Sequence, residues 1–224
     1  MSPRDRTRIL MDQIRRLAGA TRERNLSDRE LLDRFVAKCD DAAFRALMDR
    51  YAYMVLRSCQ RLLGEQGEAE DAFQATFVVL ASKAATIRQG ESLPSWLHSV
   101  AVRVAQRALR AAKRRRVHES QAAKPEVADP SEDLTVREAQ AALEEELAAL
   151  PEAYRVPLLQ CNLLGRRREQ VAHELGYSLR TLERRLETGL RLLKSRLTAR
   201  GVEVPAGLLI VLLSGMGRCP GLDR

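Results

Sequence analysis

Apolar residues recur along this chain at steps of three and four, and no long alternating Val/Ile/Thr run occurs, which predicts an all-α protein with little or no sheet. Ser27 can cap a first helix whose Asp28 and Glu30 suit the positive end of its dipole, with Leu31, Leu32, Phe35 and Val36 as its apolar stripe. A second helix is predicted from about Asp41 to Leu63, carrying Phe44, Leu47, Met48, Tyr51, Val55, Cys59 and Leu62 on one face and ending at Gly64. A third spans Glu68 to Ala85, with Phe73, Phe77 and Leu80 on its apolar side. A fourth runs from Ser95 to Arg116, with Leu97, Val100, Ala101, Val104 and Ala108 facing inward.

The stretch QAAKPEVADPSED breaks this periodicity with two prolines and mixed charge, and reads as a linker. Beyond it the helical pattern resumes. An Ala/Glu-rich helix runs to Leu150, a second is opened by Pro151, a short one spans Glu169 to Leu175, and a last one spans Leu179 to Leu197. Pro157 should kink the second of these or lie in its first turns. The expected organisation is therefore a lead-in at 1–25, a helical domain at 26–117, a flexible linker at 118–133, a second small helical domain at 134–200 and an apolar tail at 201–224. The tail's AGLLIVLLSGMG run is shorter than a bilayer span and is read as a short helix packed on a domain or a partner. Contact with a membrane surface, or a remnant of a longer extension, are the other readings.

Charge adds a partner to this picture. The 224 residues carry 38 basic and 30 acidic side chains, and the excess is concentrated around Lys113 to Arg116, which suits a polyanion. Arg103, Arg107, Arg110 and Arg114 recur at spacings of four, three and four, one narrow stripe on the fourth helix apart from its apolar face. With Trp96 and His98 at the helix start, such a stripe suits single-stranded nucleic acid, the arginines following phosphates and the ring stacking on an unpaired base. A solvated basic face and a core-packing Trp96 are the plainer alternatives, and both stay open. Within EQVAHELGYSLRTLERRLETGLRLL, Ala172, Gly176 and Ser178 have the spacing of a helix-turn-helix, with Leu179, Leu182 and Leu186 anchoring the second helix. Arg180, Thr181, Arg184 and Arg185 then face a major groove. An ordinary helical hairpin with a basic face is the alternative here.

Several functions are left without support. Cys39, Cys59, Cys161 and Cys219 form no CxxC pair, and the first three lie on apolar stripes, as small core residues in a reducing compartment do. There is no P-loop, HExxH, Gly-rich dinucleotide turn or His/Cys cluster, so no catalytic residue, metal or cofactor is expected. The N-terminus lacks the apolar core of a secretory signal, and a cytoplasmic location is expected.

The order of these parts, from LSDRELLDRF through AEDAFQATFVVL and LPSWLHSVAVRVAQRALRAAKRRR to the helix-turn-helix, closely resembles the extracytoplasmic-function sigma factors over roughly Leu26 to Leu197. The resemblance implies that the first domain is a sigma region 2, in which Asp71, Gln74 and Phe77 dock on core RNA polymerase. The loop at about Thr86 to Leu93 and the fourth helix would capture a flipped base and hold the melted minus-ten strand, with Trp96, His98, Arg103, Arg107, Arg110 and Arg114 as contacts. The second domain would be a sigma region 4 whose Ser178, Arg180, Thr181, Arg184 and Arg185 read the minus-thirty-five duplex. The implied partners are core polymerase, promoter DNA in duplex and single-stranded form, and an anti-sigma factor, with no small-molecule substrate. The chain departs from the family pattern in three places. Arg103 and Arg107 stand where Asn and Asp are common, Arg166, Arg167 and Arg168 precede the helix-turn-helix, and Glu183 stands where Lys is frequent. A helix-turn-helix regulator that never joins the polymerase is the chief rival, and a helical adaptor docking acidic proteins is another.

Overall fold

Local sequence signals account for where the helices begin and end. The computed structural model describes residues 26–64, 66–87, 92–120 and 132–203, with Leu209 and Leu213. The lead-in, the tip of the 86–93 loop, most of the linker, most of the tail and Cys219 lie outside the described residues. The helices are α1 (Asp28–Lys38), α2 (Asp41–Leu63), α3 (Gln66–Lys83), α4 (Leu93–Ser120), α5 (Glu132–Ala149), α6 (Glu152–Leu158), α7 (Arg168–Glu174) and α8 (Leu179–Ala199). A 3-10 turn at Ala84–Thr86 follows α3, and no strand occurs among the described residues.

Ser27 opens α1 with a reciprocal capping box: its hydroxyl accepts from Glu30 N at 3.3 Å while the Glu30 carboxylate accepts from Ser27 N at 2.7 Å. Asp40 caps α2 through Oδ1, which accepts from Ala42 N and Ala43 N at 3.1 and 3.2 Å. Gly64, at φ 72°, closes that helix. Asp28 then ties α1 to α2, accepting from Arg50 Nη1 at 2.5 Å and from the Tyr51 hydroxyl. Leu31 and Leu32 are buried as expected, but Val36 is exposed, on the solvent side of α1.

Pro157 does not break its helix. The α-helix continues to Leu158 and then widens into a π-helical turn, Leu159–Leu163, in which Leu164 N reaches Leu159 O at 2.9 Å. Lacking an N–H, Pro157 leaves the Ala153 carbonyl without its helical donor, and Arg185 Nη1 of α8 approaches that oxygen at 3.5 Å.

The two helical sets, read from the sequence as separately folded, share one core. α5 packs on both α2 and α4, and α4 also meets α6, so the buried side chains form a single apolar cluster from Leu31 to Leu213. Leu143 and Leu147 of α5 enter this seam together with Glu144, the one acid among the buried residues that are described. Of the tail, Leu209 and Leu213 are described, and both are buried in the same cluster. No helix among the described residues is long and apolar enough to cross a membrane.

Cys59 is fully buried and Cys161 half-buried, whereas Cys39 is exposed. The stripe reading fails for Cys39 because the residue has left the helix: it is the left-handed cap of α1, at φ 48°.

Candidate nucleic-acid interface

α7 and α8 form a helix-turn-helix whose turn is set by three consecutive residues. Gly176 takes φ 66° and donates to His173 O at 3.2 Å, while Tyr177 N donates to Ala172 O at 2.8 Å, the paired bonds of a Schellman stop. Ser178 caps α8 by accepting from Thr181 N at 3.2 Å, and its hydroxyl also meets that of Thr181 at 2.8 Å. Leu182, Leu186, Leu193 and Leu197 form the buried stripe of α8. Gly189 lies on that stripe, where an added Cβ would meet Leu158 Cδ1 at 2.9 Å and Tyr154 Cβ at 3.2 Å. A glycine that would weaken an isolated helix is here what lets α8 cross close to α6.

The four residues read as groove contacts separate into two kinds. Arg180 and Arg184 are exposed. Arg185 is engaged within the protein: its guanidinium stacks over the Tyr177 ring at 4.2 Å and donates to the Tyr177 hydroxyl at 2.8 Å. Thr181 is half-buried, its hydroxyl shared with the Ser178 cap. Ahead of the motif, Arg166 is held by Glu174 and by Gln160, whereas Arg167 and Arg168 are exposed and Arg168 lies 3.8 Å from Glu183. The unexpected Arg168 and Glu183 thus face each other.

On α4, Arg103, Arg107, Arg110 and Arg114 are all exposed, on the side away from buried Leu97, Ala101 and Ala105. Trp96 is half-buried, packed against the core with part of its surface open. His98 does not accompany them. It is fully buried and its Nε2 donates to Glu144 Oε2 at 2.8 Å, so in this arrangement it faces α5 and not a nucleic acid.

α3 requires a similar correction. Asp71 and Gln74 are exposed, but Phe77 is 3% exposed and packs edge-on against Phe73 with centroids 5.1 Å apart. Phe77 anchors the helix rather than presenting a surface. Val78, which the sequence reading passed over, takes the outward position at 64% exposure, four residues after Gln74 and seven after Asp71. An apolar residue in helical step with two polar surface residues was the available signal.

Where the two helical sets meet, Glu144 receives Arg61 Nη1 of α2 at 2.9 Å on one oxygen and His98 of α4 on the other. Burial alone would push the Glu144 carboxyl up, yet the His98 hydrogen bond and the Arg61 charge hold it below the ordinary carboxylate value. Burial lowers Arg61 from its usual value, and burial together with the Glu144 charge raises the Cys59 thiol to about 12. Beside this group, Arg155 of α6 donates to Ser95 Oγ in the first turn of α4 at 2.7 Å and to the Ala148 carbonyl at 2.6 Å. No group of three acidic, His or Cys side chains is arranged to hold a metal among the described residues.

Residues 47–115, which include α3 and the basic stripe, match the Sigma-70 region 2 family. A curated relative, the ECF RNA polymerase sigma factor SigE of Mycolicibacterium smegmatis (strain ATCC 700084 / mc(2)155), is 28% identical over 180 residues, covering 75% of this chain and 68% of that protein. Two solved structures are similar. One is CnrH in complex with the cytosolic domain of CnrY, at 18% identity, 77% coverage of this chain, 97% of that chain and a TM-score of 0.38. The other is the sigma factor RpoE in complex with the anti-sigma factor NepR from Bartonella quintana, at 18% identity, 69% and 96% coverage and a TM-score of 0.30. The match to the Sigma-70 region 2 family thus falls on the unit built from α2 to α4. Over 75% of its length the chain is similar to a sigma factor of the extracytoplasmic-function type.

Proposed function

We propose that this protein is a non-enzymatic subunit that joins core RNA polymerase, directs it to promoters and stabilises the melted strand. The observation that carries the reading is that one chain bears two outward-facing basic helices of different design. The α4 stripe of Arg103, Arg107, Arg110 and Arg114, with half-buried Trp96 at its root, suits an unpaired strand, because arginines follow phosphates and an indole accepts a stacked base. The α8 pair Arg180 and Arg184, held at the start of the second helix of a helix-turn-helix, suits the guanine edges of a duplex major groove, as a sigma region 4 requires.

Asp71, Gln74 and Val78 form the polymerase-docking face, with Phe77 fixing the helix beneath them. Opening DNA costs a few kcal/mol per extruded base, which base capture and phosphate contacts offset without covalent chemistry. An anti-sigma factor is the expected inhibitory partner, and the cytoplasm, where polymerase acts, is the expected location. The test is promoter binding with and without core enzyme. Wild-type protein should bind selectively only with core, and Val78→Glu should lose core association while keeping its helical content. Tight operator binding by the isolated chain would instead identify a free-standing regulator.

A further inference from the structure

The helix-turn-helix presents an acid as well as arginines. Arg180 and Arg184 share one line along α8, and Leu179 and Glu183, also four residues apart, share the neighbouring line about 100° round the helix. All four are exposed, and Leu179 is 40% exposed although it is apolar, so this second edge is open to solvent. It lies toward α7: Glu183 Oε1 is 3.8 Å from Arg168 Nη1, with the two side chains 51% and 60% exposed. Stability does not account for the pair. An ion pair so open to water contributes little, and Arg168 opens α7, where a cation opposes the helix dipole.

A major groove does account for it. A carboxylate only accepts hydrogen bonds, and of the base atoms facing that groove only the amino groups of cytosine and adenine donate. Guanine and thymine present acceptors there, and adenine sets its N7 acceptor beside its amino group, so cytosine is the base that a glutamate accepts without repulsion. The first turns of the second helix of a helix-turn-helix reach base edges while the first helix crosses the backbone, which puts Glu183 over bases and Arg168 beside a phosphate. We propose that Glu183 specifies a cytosine in the duplex element, and that Arg168 neutralises Glu183 in the free protein and passes to a phosphate when DNA enters. This assignment rests on the reading that α8 enters a major groove, and adds to it a base choice that the arginines do not make.

Holoenzyme reconstituted with core RNA polymerase tests it, by selection from a pool of duplex promoters randomised across the minus-thirty-five element and sequencing of the bound fraction. Wild-type protein should favour C·G at one position by on the order of tenfold. Glu183→Gln should move that position to A·T, because a glutamine amide pairs with adenine N6 and N7, and Glu183→Ala should leave it indifferent. Glu187→Gln removes an equal charge from an exposed residue one turn further along and should raise binding without moving any base preference. Arg168→Ala should weaken binding evenly across the pool and reduce the slope of log affinity against log salt by about one. Glu183→Gln holoenzyme that selects the same sequences as wild type, or Glu187→Gln that shifts the same base pair, overturns the cytosine assignment. Unchanged affinity and salt slope in Arg168→Ala overturns the exchange. Arg184→Ala, run beside them, separates two failures. If it alters the selected sequence and Glu183→Gln does not, the cytosine assignment falls alone; if neither alters it, the groove reading of α8 falls as well.

Discussion

Arg184 and Arg185 are neighbours in the sequence and should behave as different kinds of residue. Arg184 is exposed, so Arg184→Ala should change stability by no more than about 0.5 kcal/mol. Its cost should fall on DNA instead: losing one bidentate guanine contact is worth about 1–3 kcal/mol, roughly 5- to 150-fold in affinity. Arg185→Ala removes a stacked guanidinium 4.2 Å from the Tyr177 centroid and a 2.8 Å bond to its hydroxyl. The stacking contributes about 0.5–1 kcal/mol at a partly exposed site, and a charge-assisted bond about 1.5–3 kcal/mol before the freed hydroxyl is rehydrated. A net loss of about 1–2 kcal/mol is expected, or about 2–8 °C in Tm for a chain of this size. Thermal melts of both variants, with holoenzyme binding to duplexes mutated singly across the minus-thirty-five element, separate the roles. Arg184→Ala should keep its Tm and become indifferent to one base pair; Arg185→Ala should melt early and weaken binding evenly across sequences. The reverse assignment, with Arg184→Ala the unstable variant, would refute the distinction.

Gly189→Val should destabilise the protein by about 1–3 kcal/mol, measured by urea unfolding, because even a Cβ there lies 2.9 Å from Leu158 Cδ1. An unchanged midpoint would mean that α6 and α8 do not cross at that glycine. Iodoacetamide at pH 8 should label Cys39 rapidly and Cys59 only after unfolding, since Cys59 is buried with its thiol raised to about 12; mass spectrometry of timed samples reads this. Glu144 is held below 4.5 in the folded protein, so its contribution is fully present above that value and is lost as pH falls through the lowered one. Tm should therefore drop more steeply on acidification in the wild type than in Glu144→Gln, and equal slopes would contradict the assignment.

Most of the fold was legible because each helix carries its own signals. Ser27 with Glu30, Gly64, Gly176 and Ser178 act within a few residues of where they stand, and such local contacts can be read without a tertiary structure. What the sequence concealed is the association of the two helical sets. Glu144 stands in a run of three glutamates and reads as solvated acid, and only the meeting of α5 with α2 and α4 supplies Arg61 and His98 to bury it. His98 was assigned to nucleic acid for the same reason, since proximity to Trp96 in sequence says nothing about what packs over it. Phe77 and Val78 show the limit of a motif: adjacent residues lie about 100° apart on a helix, and the outward one could be picked only by extending the Asp71 and Gln74 face one further step.

The most direct test of the account is run-off transcription by purified core polymerase on templates carrying or lacking a matched minus-thirty-five and minus-ten pair. Added protein should produce discrete transcripts only from the matched template, and Arg103→Ala with Arg107→Ala should leave closed-duplex binding while reducing strand opening seen by permanganate reactivity. Initiation no more selective than that of core enzyme by itself would contradict it.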